Sequence, residues 1–318
     1  MTGLSAGLVL KTLPNVRSVT ILEKATEGKL HDQGAGIRVG PEVQEFFRKY
    51  VGKPAETYAV PLPRLIILDK DGNKVTERPS AGSFATSWGQ LFRVLNEAFL
   101  DQQSQCMCLY RNTCEATEFI DDGKRVDISF RNESGTEGTI AADLVLGADG
   151  ASSIVRQTFL PDTRRTPVGY VIQRGLVPVR ELSEATREVL EGAGTFHFNL
   201  NSQILSYNVP GSGESLEAAE ILCNWGWYQA YEPELMEDLM TDTEGFTHKF
   251  TLPIGKMQPK WIERMRDAAK REVPAQFSEL VHKTENPFVQ VITDSLASQN
   301  AFWEGKVLLL GDSAAGQR

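Results

Sequence analysis

Three turns of the chain place an acidic side chain beside glycines, directly after a short apolar segment. Glu23 follows the β-branched segment Ser18–Leu22, and Asp149 and Asp312 each follow a later apolar segment. In open α/β sheets, ligands bind beyond the carboxyl ends of the strands. A carboxylate at such a place can accept hydrogen bonds from ribose hydroxyls, and glycine lets the backbone approach a phosphate closely. The residue types therefore favour nucleotide binding.

The first of these turns is incomplete as a dinucleotide fingerprint. Gly3 opens a segment of small and apolar residues, which predicts a helix packed on a sheet, and Glu23 with its neighbour Lys24 lies about 20 residues further on, as the fingerprint requires. A full G-x-G-x-x-G is absent. Taken alone, Gly3 and Glu23 fit a small-residue helix and an ordinary strand-end glutamate better than a binding site.

The second and third turns carry more information. In the second, a strand predicted at 143–146 leads into Asp149 and Gly150, and the short helix that follows carries Arg156, whose guanidinium could meet a phosphate. The alternative is a plain strand–turn–helix connection. The third turn, Gly311-Asp312, is moderate evidence alone and strong evidence when it follows the second in this order.

The elements around these turns predict two domain types. Strands alternate with helices at both ends of the chain and in its middle, whereas the stretch 168–253 is rich in strand formers and reads as a mainly antiparallel sheet. Hairpins are predicted at Asp71-Gly72 and at 132–135, and helices at 42–50, 88–100, 233–239 and 259–271. These elements together predict an α/β layer with an inserted β-rich section.

Composition and charge exclude several classes. The chain has 318 residues, a net charge of −9 and no basic patch typical of nucleic-acid binding. No apolar run is long enough to span a membrane, and we expect a cytoplasmic protein. The four cysteines lack a neighbouring histidine and the spacing of a zinc site, so they are interpreted as reduced thiols and no metal is expected. They are Cys106, Cys108, Cys114 and Cys223.

The inserted sheet supplies candidates for a pocket that takes a flat ring. The candidates are His197, Tyr207, Trp225, Trp227 and Tyr228. Aromatic walls suit such a ligand, but aromatic residues in a sheet usually belong to the core, and alternation puts Trp225 and Trp227 on one face and Tyr228 on the other. His197 could act as a base or be a core histidine. Arg174 faces either a ligand or solvent.

These motifs resemble those of the class A flavoprotein monooxygenases, the p-hydroxybenzoate hydroxylase-like family. The second and third turns resemble the DG and GD motifs of that family. Five further segments resemble its 2,6-dihydroxypyridine 3-hydroxylase-like subgroup, and the resemblance covers nearly the whole chain. They are 34–42, 169–175, 224–228, 238–242 and 286–291.

The resemblance implies a Rossmann-like FAD-binding domain of the GR2 type at 1–60, 91–165 and 286–318, with a mainly antiparallel substrate domain inserted at 61–90 and 166–285. It implies that a flavin hydroperoxide hydroxylates an aromatic or N-heteroaromatic ring, with O2 and NADPH or NADH consumed and a homodimer as one candidate assembly. The residues that it assigns to FAD are Gly3, Glu23, Lys24, Gly36, Arg38, Asp149, Gly150, Arg156, Gly311 and Asp312.

The family pattern also includes a strand before Gly3 and a turn and long helix after Asp312. The printed sequence has neither, so we expect an incomplete FAD-binding domain. Two explanations stay open, a fragment of a working enzyme and a degenerate product that binds flavin poorly. A third activity, flavin chemistry without oxygen insertion, stays open as well.

Overall fold

The computed structural model describes residues 1–26, 36–101 and 105–316. These residues form eight α-helices: α1 Thr2–Leu10, α2 Pro41–Tyr50, α3 Trp88–Leu100, α4 Ile154–Phe159, α5 Glu184–Leu190, α6 Pro233–Leu239, α7 Pro259–Glu272 and α8 Ala275–Lys283. Proline opens α2, α6 and α7, where its missing N–H costs no hydrogen bond.

The described residues also form eighteen strands, several of them only two or three residues long. They are β1 Ser18–Leu22, β2 Gly36–Val39, β3 Val60–Leu68, β4 Lys74–Ser87, β5 Met107–Arg111, β6 Cys114–Asp121, β7 Val126–Asn132, β8 Glu137–Ala142, β9 Val145–Gly147, β10 Thr166–Pro178, β11 Ala193–Asn199, β12 Ser202–Val209, β13 Leu222–Ala230, β14 Thr251–Leu252, β15 Phe288–Leu296, β16 Ala301–Phe302, β17 Val307–Leu309 and β18 Ala315–Gly316.

The chain divides into two compact units. The first contains residues 1–32, 92–168 and 293–318, and the second contains 33–91 and 169–292. The division places 33–60 in the second unit, whereas the predicted boundaries assigned that segment to the FAD-binding domain. The physical reason is pairing, because β2 hydrogen-bonds to β4 and not to a strand of the first unit.

Parallel pairs lie at the two places in the first unit where the sequence predicted binding turns. β1 pairs in parallel with β5, and β17 pairs in parallel with β9. β6, β7 and β8 form a separate antiparallel sheet whose second turn is the predicted hairpin at 132–135. A buried apolar cluster that includes Phe119, Val126 and Leu309 packs between these elements.

One long sheet dominates the second unit. Its strand order is β14-β15-β10-β13-β12-β11-β3-β4-β2, and the neighbours from β10 to β11 are antiparallel. The predicted hairpin at Asp71-Gly72 joins β3 to β4. α7 and α8 contribute Met265, Phe277 and Leu280 to the core on one side of this sheet.

The mixed α/β fold with an inserted antiparallel sheet is confirmed. Within the described ranges, no helix is both long and apolar enough to cross a membrane. All four cysteines are buried free thiols. The same ranges hold no cluster of three or more histidine, cysteine or acidic side chains arranged to bind a metal ion.

Candidate functional site

The start of α1 meets two of the predicted turns. Thr2 in its first turn lies against Gly311, where an added Cβ would come within 2.5 Å of the Thr2 Oγ1 atom. Gly311 also has a φ of +63°, which favours glycine. A Cβ at Gly3 would lie 3.6 Å from the Cβ of Ala148, an ordinary contact. The first N–H groups of a helix have no partner within it, so this junction presents donors suited to a phosphate.

Close packing of α1 depends on a glycine that the sequence interpretation did not single out. A Cβ at Gly7 would lie 2.7 Å from Cε2 of Phe99, on α3, and 3.6 Å from Cγ1 of Val19, on β1. Gly7 therefore allows α1 to lie directly on the parallel pair. The sequence contains an indication of this close packing, because Gly3 and Gly7 are four residues apart and share a helix face.

Glu23 directly follows β1, as the sequence predicted. Its main-chain N–H donates to the carbonyl of Arg111 at 2.9 Å, and its Oε1 accepts from the N–H of Ala25 at 2.8 Å. Burial raises the pKa of Tyr110, and the negative charge of Glu23 raises it further. The neighbouring Lys24 is exposed.

The carboxylates of Glu23 and Asp312 both act electrostatically on the start of α1. Burial lowers the pKa of the Met1 amino group, and the charges of Glu23 and Asp312 oppose that shift, so both carboxylates lie within electrostatic range of this nitrogen. Asp312 is exposed, directly after Gly311. Two acidic groups beside a helix N-terminus form a polar site with both acceptors and donors.

The carboxylate of Asp149 caps α4. Its Oδ1 accepts from the Ser153 hydroxyl at 2.5 Å, and its Oδ2 accepts from the main-chain N–H groups of Ile154 at 2.7 Å and Val155 at 3.2 Å. Both oxygens therefore accept hydrogen bonds within the turn itself, which gives Asp149 a structural role, and its role as a ligand acceptor stays a prediction. Gly150 allows this turn by adopting a φ of +79°.

Arg156 ties two turns together. Its side chain is 1% exposed, and its Nη1 donates to the main-chain carbonyls of Asp312 at 3.1 Å and Ser313 at 2.9 Å. Its Nη2 donates to the carbonyl of Ala151. The guanidinium is buried and engaged by carbonyls, which gives it a structural role, and a contact with a phosphate stays a prediction. The position of the guanidinium holds Asp312 in place.

Arg165 is a second cation beside these turns, and the sequence interpretation missed it. Its Nε donates to the Thr293 hydroxyl at 2.6 Å, and its Nη1 donates to the Ser152 hydroxyl at 3.2 Å. Burial lowers the pKa of Arg165, Arg156 lowers it further, and Asp312 opposes both. Its only sequence signal was a position shortly after the second turn.

The second unit carries two distinct sheet faces. Residues directly opposite each other on paired strands share a face, so the register places Trp225 with Ser206, and Tyr207 with Asn224 on the other side. We call the first the tryptophan face. Its members are Gln173, Gly175, Ile204, Ser206, Trp225 and Trp227. The second is the tyrosine face. Its members are Ile172, Arg174, Leu176, Gln203, Leu205, Tyr207, Asn224, Gly226 and Tyr228.

The aromatic pocket candidates do not share a surface. Trp225 is fully buried on the tryptophan face, where its Nε1 donates to the Thr284 hydroxyl at 2.8 Å. His197 is opposite Ile204 on the same face, and its Nδ1 lies 3.0 Å from the carbonyl oxygen of Leu68. Both therefore belong to the core, whereas Tyr207 is half-buried on the other face.

Gly36 and Arg38, assigned to FAD by the resemblance, lie in the second unit. The N–H of Gly36 donates to Oδ1 of Asn224 at 3.2 Å, and a Cβ at Gly36 would come within 2.6 Å of Cε2 of Tyr207. β2 therefore crosses directly over the tyrosine face. Arg38 is exposed, and its Nη2 donates to the Ser83 hydroxyl at 2.9 Å. The preceding residues 34–35 lie outside the described ranges.

The residues of the first unit fit FAD. Exposed Asp312 and the strand-end Glu23 can accept hydrogen bonds from hydroxyl groups, and the first turn of α1 offers N–H donors to a pyrophosphate. Because Gly311 approaches Thr2 closely, the turn after β17 lies beside the first turn of α1. Asp149 and Arg156 fit as supports for this arrangement.

The chain is similar to several known proteins. Residues 167–294 match the family model described as FAD binding domain-like. The whole chain is 27% identical to 2,6-dihydroxypyridine 3-monooxygenase of Paenarthrobacter nicotinovorans, of which it spans 75%. It is 25% identical to 3-hydroxybenzoate 6-hydroxylase 1 of Aquipseudomonas alcaligenes, over 98% of this chain and 71% of that protein.

A solved structure extends the likeness to three dimensions. The structure of 2,6-dihydroxypyridine-3-hydroxylase from Arthrobacter nicotinovorans superposes with a TM-score of 0.83 and 25% identity. The alignment covers 99% of this chain and 75% of that one. The likeness therefore includes both compact units.

Proposed function

We propose that this chain, which is similar to FAD-dependent aromatic monooxygenases, hydroxylates an aromatic or N-heteroaromatic ring. Hydroxypyridine-like rings are the first substrates to test, because the relative that matches along the whole chain is named for such a ring. In this proposal the first unit binds FAD, the second unit holds the ring, and NADPH or NADH is the reductant.

The close contact between Gly311 and Thr2, which brings the turn after β17 to the start of α1, carries the proposal. The carboxylates of Glu23 and Asp312 lie within electrostatic range of the same nitrogen, one after β1 and the other after β17. Dinucleotide sites combine these features, an acidic side chain for a ribose and a helix N-terminus for the pyrophosphate. In the proposed site Glu23 accepts from the adenosine ribose and Asp312 accepts near the ribityl chain.

FAD, when bound, supplies the two-electron and oxygen chemistry, and the protein supplies binding, orientation and electrostatics. The backbone at Gly3 and Gly311 approaches the phosphates in this proposal. Asp149, with Gly150, shapes the turn that supports α4, and Arg156 fixes the main chain around Asp312. Lys24 is exposed beside Glu23 and is proposed to contribute positive charge near the cofactor phosphates.

The tyrosine face is proposed to hold the ring. Tyr207 and Tyr228 offer aromatic surface and hydroxyl groups, and Asn224 is fixed by its bond to Gly36. A flat ring binds well between aromatic side chains when a few polar groups set its orientation. Arg38 is excluded from this set, because its guanidinium is directed to Ser83.

The test is a reconstitution of the purified 318-residue chain with FAD, followed by removal of unbound flavin. We expect a retained flavin spectrum, oxidation of NAD(P)H that is stimulated by 2,6-dihydroxypyridine or 3-hydroxybenzoate, and one oxygen atom from labelled O2 in the product. Stimulated oxidation without a labelled product would show a flavoprotein that does not insert oxygen. A colourless protein that remains folded would contradict the proposal for this chain.

A further inference from the structure

Two guanidinium groups of the first unit lie within electrostatic range of each other. Burial lowers the pKa of Arg165, and the positive charge of Arg156 lowers it further, whereas Asp312 opposes both effects. Arg156 is 1% exposed and is bound to main-chain carbonyls, so its charge is held in place. Like charges repel each other more strongly where burial reduces the effective dielectric constant. An anion bound at Arg165 would reduce this repulsion.

The guanidinium of Arg165 is held in a fixed orientation. Its Nε donates to the Thr293 hydroxyl at 2.6 Å, and its Nη1 donates to the Ser152 hydroxyl at 3.2 Å. Thr293 lies on β15 and Ser152 lies in the turn before α4, so two separate elements fix the plane of the group. A planar guanidinium presents parallel N–H groups that match the oxygens of a phosphate. The orientation of Arg165 is therefore set before any ligand binds.

A buried hydroxyl lies on the same face of β15. Ser295 follows Thr293 by two residues, and alternate residues of a strand point to the same side. Ser295 is 6% exposed, and its Oγ has no hydrogen-bond partner among the described residues. It lies opposite Gly316, where an added Cβ would be 3.0 Å from Oγ, so glycine leaves space beside the hydroxyl. A bound acceptor would supply the missing hydrogen bond.

We propose that Arg165 and Ser295 form a phosphate-binding site, in which the guanidinium and the hydroxyl donate to the same phosphate group. The ligand class is a phosphate ester of a dinucleotide. This identity rests on the proposed function, which requires FAD together with NADPH or NADH. Thr293 and Ser152 are positioning residues, because they act through Arg165.

The site adds a charge that the start of α1 lacks. The first turn of α1, from Thr2 to Ser5, contains no basic residue. Its unpaired N–H groups carry roughly half an elementary charge, whereas the guanidinium of Arg165 carries a full one. Dinucleotide phosphates are negative at neutral pH. Arg165 therefore supplies compensation that the dipole of α1 gives only in part.

The probe for the first experiment is inorganic pyrophosphate, titrated into the flavin-free 318-residue chain by calorimetry. We expect saturable binding to the wild type. Arg165→Met should weaken it about 10- to 100-fold, because a hydrogen bond to a charged group is lost. Arg165→Lys should recover part of the affinity, since it retains the charge without the planar fork. Ser295→Ala should weaken binding by a smaller factor, about 2- to 10-fold.

Arg164→Met is the matched control, because Arg164 is the exposed neighbour of Arg165 in the sequence. It should bind pyrophosphate like the wild type. Urea unfolding of each variant verifies that a lower affinity does not come from a loss of folded protein. Equal pyrophosphate affinity in the folded wild-type and Arg165→Met proteins, or no binding by the wild type, would overturn the inference.

Further titrations with FAD and with NADPH distinguish the two sources of the phosphate. Weaker FAD binding by Arg165→Met assigns the site to the cofactor pyrophosphate, and weaker NADPH binding with unchanged FAD affinity assigns it to the reductant. If only the pyrophosphate affinity falls, the site binds an adventitious ion only, and the assignment to a dinucleotide is wrong. Failure of the proposed function is separate, since it would appear as absent substrate-stimulated NAD(P)H oxidation while pyrophosphate still binds.

Discussion

The guanidinium of Arg156 donates to the main-chain carbonyl of Ser313 at 2.9 Å, across 157 residues of sequence. The Ser313 hydroxyl in turn donates to the carbonyl of Gly147. The two turns that resemble nucleotide-binding motifs are therefore bound to each other through buried polar groups. A substitution that disturbs one turn should therefore alter the conformation of the other.

Arg156→Met should destabilise the first unit. The substitution removes the donor of the buried Ser313 carbonyl and of the partly buried Asp312 carbonyl, and a buried unsatisfied group costs about 1–3 kcal/mol. Urea unfolding measures the loss, and Arg164→Met at an exposed neighbouring arginine is the control. Equal unfolding free energies for the two variants would contradict the structural role of Arg156.

Asp312→Asn should weaken FAD binding and leave stability unchanged. Asp312 is exposed, so its carboxylate is available to a ligand, and a hydrogen bond to a charged group contributes about 1.5–3 kcal/mol. Quenching of flavin fluorescence on titration measures the affinity. Asp162→Asn, at another exposed aspartate, should bind FAD like the wild type. An unchanged dissociation constant for Asp312→Asn would exclude it from the cofactor site.

Gly7→Ala and Gly3→Ala form a matched pair on one helix. A Cβ at Gly7 would overlap the Phe99 ring, so this variant should lose about 1–3 kcal/mol of unfolding free energy. A Cβ at Gly3 has an ordinary contact and should be tolerated. Thermal unfolding distinguishes the two variants. If Gly3→Ala folds normally but binds FAD weakly, the backbone at Gly3 approaches the cofactor as proposed.

Gly36→Ala should impair substrate response without loss of FAD. The added methyl would press on Tyr207 and on the Asn224 amide, both on the tyrosine face. We expect a higher KM for the ring, or no stimulation of NAD(P)H oxidation, with a normal flavin spectrum. Gly82→Asn is a control for a glycine substitution elsewhere, since no atom lies within 4 Å of a Cβ there and asparagine accepts its φ of +71°. Loss of FAD in Gly36→Ala would instead assign Gly36 to the cofactor.

Acid should loosen the turn that contains Asp242. Its Oδ2 lies 2.8 Å from Nε2 of His248, and its Oδ1 accepts from the N–H groups of Glu244 and Phe246. The hydrogen bond from His248 is the main cause that lowers the pKa of Asp242 to about 2, with those N–H groups adding to it.

A carboxyl group whose pKa is lower in the folded protein stabilises the fold at pH values above its pKa in the unfolded chain. This stabilisation by Asp242 disappears as the pH falls through about 2. Hydrogen exchange of residues 240–248 should therefore rise over that acid range. Asp242→Asn should show faster exchange already at neutral pH and little further change on acidification. Identical acid responses in the variant and the wild type would show that other carboxylates control this turn.

Local patterns in the sequence predicted most of the elements. Proline and apolar periodicity marked α6 at Pro233–Leu239, and Asp-Gly marked the hairpin between β3 and β4. Alternation correctly separated Tyr228 from Trp225 and Trp227. It did not show which of the two faces is covered, because that depends on α7 and α8, which are more than thirty residues away in sequence.

The sequence by itself indicated the family resemblance, the α/β class and the turns at Glu23, Asp149 and Asp312, because these are properties of local residue order. Only the tertiary structure decided what each side chain does. Asp149 caps a helix, Arg156 binds carbonyls, Trp225 and His197 belong to the core, and Gly36 closes over Tyr207. The physical reason is that the partner of a buried polar group is set by the packing of distant segments, and residue type and spacing do not specify it.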